Sequence, residues 1–155
     1  MPIIASFGRR FGFLLFIGAI GVVGFVFRDH LSGSAGDLRV GDCFDEPAAE
    51  VEEIGDVQHR PCTDPHDAEV IVVKDYAAPD GAVYPSDTSI ENFIDAQCVA
   101  AADTYTDGKF DVDTDLYVGL YRPTAESWTD GERGMMCYLY RNGGAKLTTA
   151  LRTTS

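Results

Sequence analysis

Three side chains with ligand chemistry crowd one short stretch, His66, Asp67 and Glu69. In an extended segment Asp67 and Glu69 project to one face and His66 to the other. Imidazole nitrogen and carboxylate oxygens at that density can hold a divalent cation. The plainer reading is that His66 and Asp67 shape the turn after Cys62 while Glu69 pairs with a base such as Arg133, and that is the expectation taken here. A second acidic stretch, Asp103 to Asp115, can be set on a twelve-residue calcium loop with Asp103 first, Asp107 fifth, Gly108 sixth and Asp111 ninth. Tyr105 then stands third, and Thr114 stands where a bidentate Glu belongs, so the stretch reads as a solvated acidic loop. Trp128 and Arg133 are the third candidates. They share one loop and suit either a surface anchor for a partner or glycan or a lid on the core, of which the lid is the expected one.

Catalysis has no comparable support. The chain lacks GxSxG, HExxH and a phosphate-cradling glycine loop. His59 and His66 have no obvious nucleophile beside them. No CxxC pair is present, which disfavours a dithiol redox site, and close cysteine pairs for structural zinc are missing too. No enzymatic activity, cofactor or resident metal is expected.

The elements that must position these residues follow from pattern. Residues 38–44 read as a short strand around a Gly-Asp turn, and Ala68 to Val73 as a buried strand. Val51 to Pro61 is mixed. Thr88-Ser89-Ile90-Glu91 matches a capping box. Ile90, Phe93, Ile94, Cys98, Ala101 and Tyr105 then form one apolar helical stripe. Leu116 to Tyr121 and Met135 to Tyr140 read as strands with alternating faces. Pro123 to Gly131 reads as a loop, Asn142-Gly143-Gly144 as a hairpin turn, and Lys146 to Leu151 as a last edge strand. The fold class is therefore α+β, one main helix against an antiparallel sheet. Cys98 on the helix stripe and Cys137 on a strand's inner face can meet across that core, which leaves Cys43 with Cys62.

Compartment follows from one apolar run. Phe11 to Phe27 holds seventeen residues without a charge, and Arg9 and Arg10 precede it. A helix of that length covers roughly 26 Å, at the short end of a membrane span. All 25 acids and all four cysteines come after it. The arginines favour a cytoplasmic N-terminus. Residues 1–10 are read as a cytoplasmic tail, 11–28 as a transmembrane helix, 29–37 as a linker and 38–155 as an extracytoplasmic domain. A cleaved signal peptide is the rival reading, with a small-residue site at Ser32 to Ala35, but the run exceeds the usual apolar core of such peptides. Export makes two structural disulfides the natural state of Cys43, Cys62, Cys98 and Cys137. Past Arg28, nine basic residues stand against the 25 acids. Such a surface repels nucleic acid and anionic headgroups and suits basic partners or cations. The expected contacts are thus the membrane, through the N-terminal helix, and no nucleic acid.

The order of motifs carries one more reading. Gly41-Asp42-Cys43 is followed by Cys62, then Pro65-His66-Asp67-Ala68-Glu69-Val70, then Tyr84-Pro85, the helical Cys98, and Trp128-x-x-Gly131-x-Arg133 leading to Cys137. This set resembles the septum formation domain family of actinobacterial exported and membrane proteins, across nearly all of residues 38–151. The resemblance implies a small extracytoplasmic α+β domain behind a single span. It also implies a part in forming the division septum, with division or cell-wall proteins as partners, and no established enzymatic activity or defined ligand. Near the end Thr149-Ala150-Leu151 departs from the family's Gly-Ser-Leu. The expected function is a non-enzymatic binding or scaffolding module at the outer membrane face. The alternative is an extracytoplasmic sensor of a small ligand or divalent cation.

Overall fold

The computed structural model describes residues 32–46 and 55–153. The apolar run read as a span lies outside the described residues, as does the acidic stretch 47–54. No helix among the described residues is long and apolar enough to cross a membrane.

Six strands form one antiparallel sheet. They are β1 (Ser32–Ser34), β2 (Cys43–Asp45), β3 (Asp56–Arg60), β4 (Ala68–Asp75), β5 (Leu116–Tyr121) and β6 (Gly134–Arg141), in the order β1-β3-β2-β4-β6-β5. Between β4 and β5 runs the main helix, as α1 (Asp87–Phe93), a π-helical stretch (Ile94–Val99) and α2 (Ala100–Thr106). One further turn, α3 (Lys109–Val112), and a short α4 (Ala125–Thr129) are the other α-helices among the described residues.

Both sheet faces are buried, for different reasons. Met135, Cys137 and Leu139 of β6 turn towards the helix, as do Leu116, Val118 and Leu120 of β5, which is the alternation expected. Cys98 and Ala102 cover this face. On the other face Phe44, Val57, Val70, Met136 and Tyr138 form a second cluster. Here the sheet curls, because Ala35 and Leu38 near one edge pack into the same cluster as Tyr121 at the other. A register shift between Val70 and Val72 lets β4 serve both clusters.

Gly119 shows what that second face requires. The Tyr138 ring lies over it, and a Cβ there would sit 2.2 Å from Tyr138 Cζ. Phe44 and Tyr121 hold that ring at centroid distances of 5.6 and 4.7 Å, so it has nowhere to go. Gly119→Ala is expected to cost about 1–3 kcal/mol by overpacking. Urea unfolding of the two forms measures it, and equal midpoints would contradict the placement of Tyr138.

Several expectations change in detail. The helix is capped two residues earlier than the Thr88 box implies. The Ser86 side chain accepts from the Ser89 N–H at 3.2 Å. The π-helical stretch widens one turn, so the buried stripe continues as Cys98, Ala102 and Thr106 rather than through Ala101. Part of the segment read as a linker is β1, paired with β3, itself drawn from the stretch read as mixed. The loop 123–131 contains α4, capped reciprocally by Thr124 and Ser127. The expected last strand after the Asn142 turn is a single bridge, Leu147 with His66.

Candidate functional site

The four cysteines close two bridges, Cys43–Cys62 and Cys98–Cys137. The second crosses from the helix to β6, as the stripe and strand face require. The first ties β2 to the turn before β4. A bridge of this kind contributes about 2–4 kcal/mol.

His66 and Glu69 both come inside, beside the first bridge. His66 is fully buried, and its Nδ1 lies 2.7 Å from the Asp64 carbonyl oxygen, so the tautomer protonated at Nδ1 makes that bond. Its Nε2 meets no hydrogen-bond partner among the described residues. Glu69 is 1% exposed. One carboxylate oxygen accepts from the Tyr105 hydroxyl, and the other accepts from the Leu151 N–H at 2.6 Å. The expected Glu69–Arg133 pair is therefore replaced by a bond to the helix and a bond to the C-terminal segment. Burial, reinforced by the Glu69 carboxylate, pushes the Tyr105 phenol pKa well above its usual value and keeps the hydroxyl protonated. Tyr105 thus stays a donor at physiological pH.

Among the described residues the one grouping of three potential ligands is Cys43, His66 and Glu69, with ligand atoms within 4.8 Å of one another. It does not suit a metal. Cys43 sulfur is bonded to Cys62, and both Glu69 oxygens already accept hydrogen bonds. The cluster is an internal clasp that joins β2, β4, α2 and residue 151.

Asp67, unlike Glu69, lies partly exposed outside the buried cluster. Its carboxylate accepts from the Glu46 N–H and pairs with Lys146 Nζ at 2.7 Å. Lys146 also reaches Asp45 at 2.9 Å, and Arg60 reaches Asp45 at 2.7 Å. Partial burial pushes the Asp45 carboxyl upward, but the hydrogen bonds and charges of Lys146 and Arg60 outweigh it and hold the carboxyl below its usual value. A depressed pKa stabilises the fold above the unfolded value of 3.8, and the gain is lost as pH falls through the lower folded value. Lys146→Met is expected to cost about 1 kcal/mol at pH 7, a small figure because Lys146 is substantially exposed. That difference should shrink when unfolding is measured below the usual aspartate range. A difference independent of pH would contradict the pairing.

The acidic stretch from Asp103 is part helix and part turn rather than a solvated loop. Asp103 to Thr106 end α2, and Asp107 and Gly108 turn left-handed to cap it, with the Gly108 N–H returning to the Asp103 carbonyl at 2.9 Å. Asp113 pairs with Arg141 at 2.9 Å and accepts from the Asp115 N–H.

Trp128 is 3% exposed and is core, with its Nε1 donating to the Ala82 carbonyl at 2.8 Å. Tyr76 and Tyr84 meet it edge-on. Arg133 covers the indole, Cζ lying 3.9 Å from the ring centroid, and donates to the Trp128 carbonyl at 2.7 Å. Trp128 is thus a clamp between α4 and residues 76–84, with Arg133 as its cover, and the indole offers no surface.

What the surface does offer lies along β5. A cleft of about 630 Å³ opens on the curled face between Leu38 and Tyr121, rimmed by Asp130 and Glu132. A shallower groove lies on the helix side, between Leu120 and the α1 residues Asp87, Ile90 and Glu91. Neither was legible as a candidate site in the sequence.

Comparison with known proteins gives one match. The family model described as septum formation covers residues 40–155. No curated protein and no solved structure matches the chain.

Proposed function

This chain belongs to the septum formation family, and from that membership we propose that it acts in septum formation as a membrane-anchored, non-enzymatic binding or scaffolding module. The family match over residues 40–155 carries the reading. The chemistry of the domain supports it. Both carboxylate oxygens of the buried Glu69 are taken up by Tyr105 of α2 and by Leu151, and the buried His66 is tied through Nδ1 to the Asp64 carbonyl. Two disulfides in an acidic domain suit an exported compartment, and the apolar run after Arg10 supplies an anchor. In this reading the anchor holds the domain at the outer face and its surface recruits division or wall-assembly proteins. The test is a C-terminal alkaline phosphatase fusion of the full chain, which folds to activity only when exported. An active, membrane-bound fusion is expected. An inactive fusion contradicts the topology.

The cleft between Leu38 and Tyr121 favours one second reading, a sensor of a small extracytoplasmic ligand, since its volume falls in the range of ligand sites. A rise in melting temperature of the full chain with soluble wall fragments or calcium would favour the sensor over the scaffold.

A further inference from the structure

β5 is an edge strand whose usual protections, a charge and a proline, come only after its end, at Arg122 and Pro123. It pairs with β6 on one side, and among the described residues no strand pairs with its other side. Its sequence, LYVGLY, carries no charge and no proline, and its pairing with β6 runs without a bulge over all six residues. Natural edges usually carry a lysine, a proline or a bulge that discourages further pairing.

The backbone groups on the free side can be assigned. The Asn142 N–H donates to the Asp115 carbonyl, whereas the Leu116 N–H turns away to Asp113. In an antiparallel pair the inward and outward residues alternate. The outward groups of β5 therefore belong to Leu116, Val118 and Leu120, and those of Val118 and Leu120 stand open among the described residues.

Grooves flank this edge on both faces. On the helix side Ile90, Ile94 and Leu120 form an apolar floor with the exposed Asp87 and Glu91 on its wall, and the exposed Arg122, just past β5, lines this groove and the other one. On the curled side the cleft beside Tyr121 has Leu38 and Met136 on its floor and Asp130 and Glu132 at its rim. A strand laid on β5 sends alternate side chains to opposite faces, one set towards each groove. Backbone pairing supplies affinity in this mode of recognition, and alternate pockets supply selectivity.

We propose that the free edge of β5 captures an extended basic segment of a partner protein as a seventh strand, its cationic side chains meeting Asp87 and Glu91 on one face and Asp130 and Glu132 on the other. Charge decides between occupants. The four acids outnumber Arg122, the one base lining the grooves, and a second copy of this domain would bring its own excess of acids against them, nine bases against 25 acids past Arg28. A basic segment meets complementary charge. The inference rests on the binding-module reading and names the site and the partner's chemistry.

The experiment is hydrogen exchange on the full chain in detergent micelles, with a soluble peptide of alternating valine and lysine as the probe. The peptide is expected to slow exchange of the Val118 and Leu120 amides about tenfold at low salt. Asp87→Lys with Glu91→Lys, both exposed, should remove most of that protection. Val118→Pro should remove it while leaving the melting transition in place, since a proline is tolerated where the N–H faces outward on an edge. No slowing over residues 116–121 overturns the proposal. Equal slowing by lysine amide alone overturns it in favour of a cation bound in the cleft. Protection that rises with protein concentration without peptide overturns it in favour of self-pairing. None of these outcomes depends on where the chain localises, so failure here leaves the septal reading standing, and a diffuse protein that still binds the peptide leaves the edge standing.

Discussion

Trp128→Ala is expected to destabilise the domain by about 3–5 kcal/mol, the range for emptying a buried large aromatic site. Three losses add up at this one position. The indole packs with Ile90 and Met135 in a cluster that α1, α4 and β6 share. Its N–H satisfies the Ala82 carbonyl, and its ring carries the Arg133 guanidinium. Collapse cannot refill the space cheaply, because Tyr76 and Tyr84 already meet the indole by their edges and Tyr84 is tied to the Pro123 carbonyl at 2.8 Å. Trp128→Phe keeps most of the packing and loses the N–H, and should cost about 1–2 kcal/mol beyond its lost volume. Arg133→Ala should cost less in the Trp128→Ala background than in the parent, since the stacking is already lost there and only the bonds from Arg133 to backbone carbonyls remain. Urea unfolding of this cycle decides the matter. A loss below about 1 kcal/mol for Trp128→Ala would mean that the indole is a surface group.

Glu69→Leu is the second large effect, up to about 2–6 kcal/mol, from two part-buried donors left without acceptors at up to about 1–3 kcal/mol each. The Tyr105 hydroxyl and the Leu151 N–H both end on this carboxylate. Leucine is close in size, so a cavity contributes little and the loss reports hydrogen bonding. Glu69→Gln retains one acceptor oxygen and should cost less than half as much. Tyr105→Phe with Glu69→Leu should recover part of the loss by removing one orphaned donor. If both Glu69 variants cost the same, the carboxylate is not the clasp between β4, α2 and residue 151.

The parts of this fold that pattern reveals are those where one period dominates. β5 and β6 alternate cleanly, so their limits and inward faces follow from the sequence, and with them the Cys98–Cys137 bridge. β1 and β3 do not announce themselves. Ser32-Gly33-Ser34 has no alternation, and β3 turns His59 inward beside Val57. The π-helical stretch is invisible to a 3.6-residue period, and it moves the stripe from Ala101 to Ala102. α4 carries a reciprocal cap from Thr124 and Ser127, but Pro123 and Gly131 at its ends argue for a loop. The hairpin expected at Asn142 fails because Gly143 and Gly144 both turn left-handed, within a 3-10 turn, and the chain beyond makes one bridge only.

The candidate site divides in the same way. The density of His66, Asp67 and Glu69 was legible, but the division expected between two faces was not the one found, because His66 comes inside beside Glu69. Their commitments were not legible either. An acid flanked by Ala68 and Val70 in an otherwise apolar strand is the signal that Glu69 is internal, and Tyr105 on the helical stripe is its natural donor. The grooves beside β5 depend on how the sheet curls and where α1 lies against it, which no local pattern encodes. Once the reactive-looking residues are spent on the core, what remains for function is surface, edge and location.

Septal location is read by imaging a fluorescently tagged full-length chain in dividing cells of its native host. A band at the septum that is lost when residues 38–155 are deleted is the result expected of a septum formation domain acting through its own surface. A uniform membrane outline, unchanged by that deletion, would contradict it.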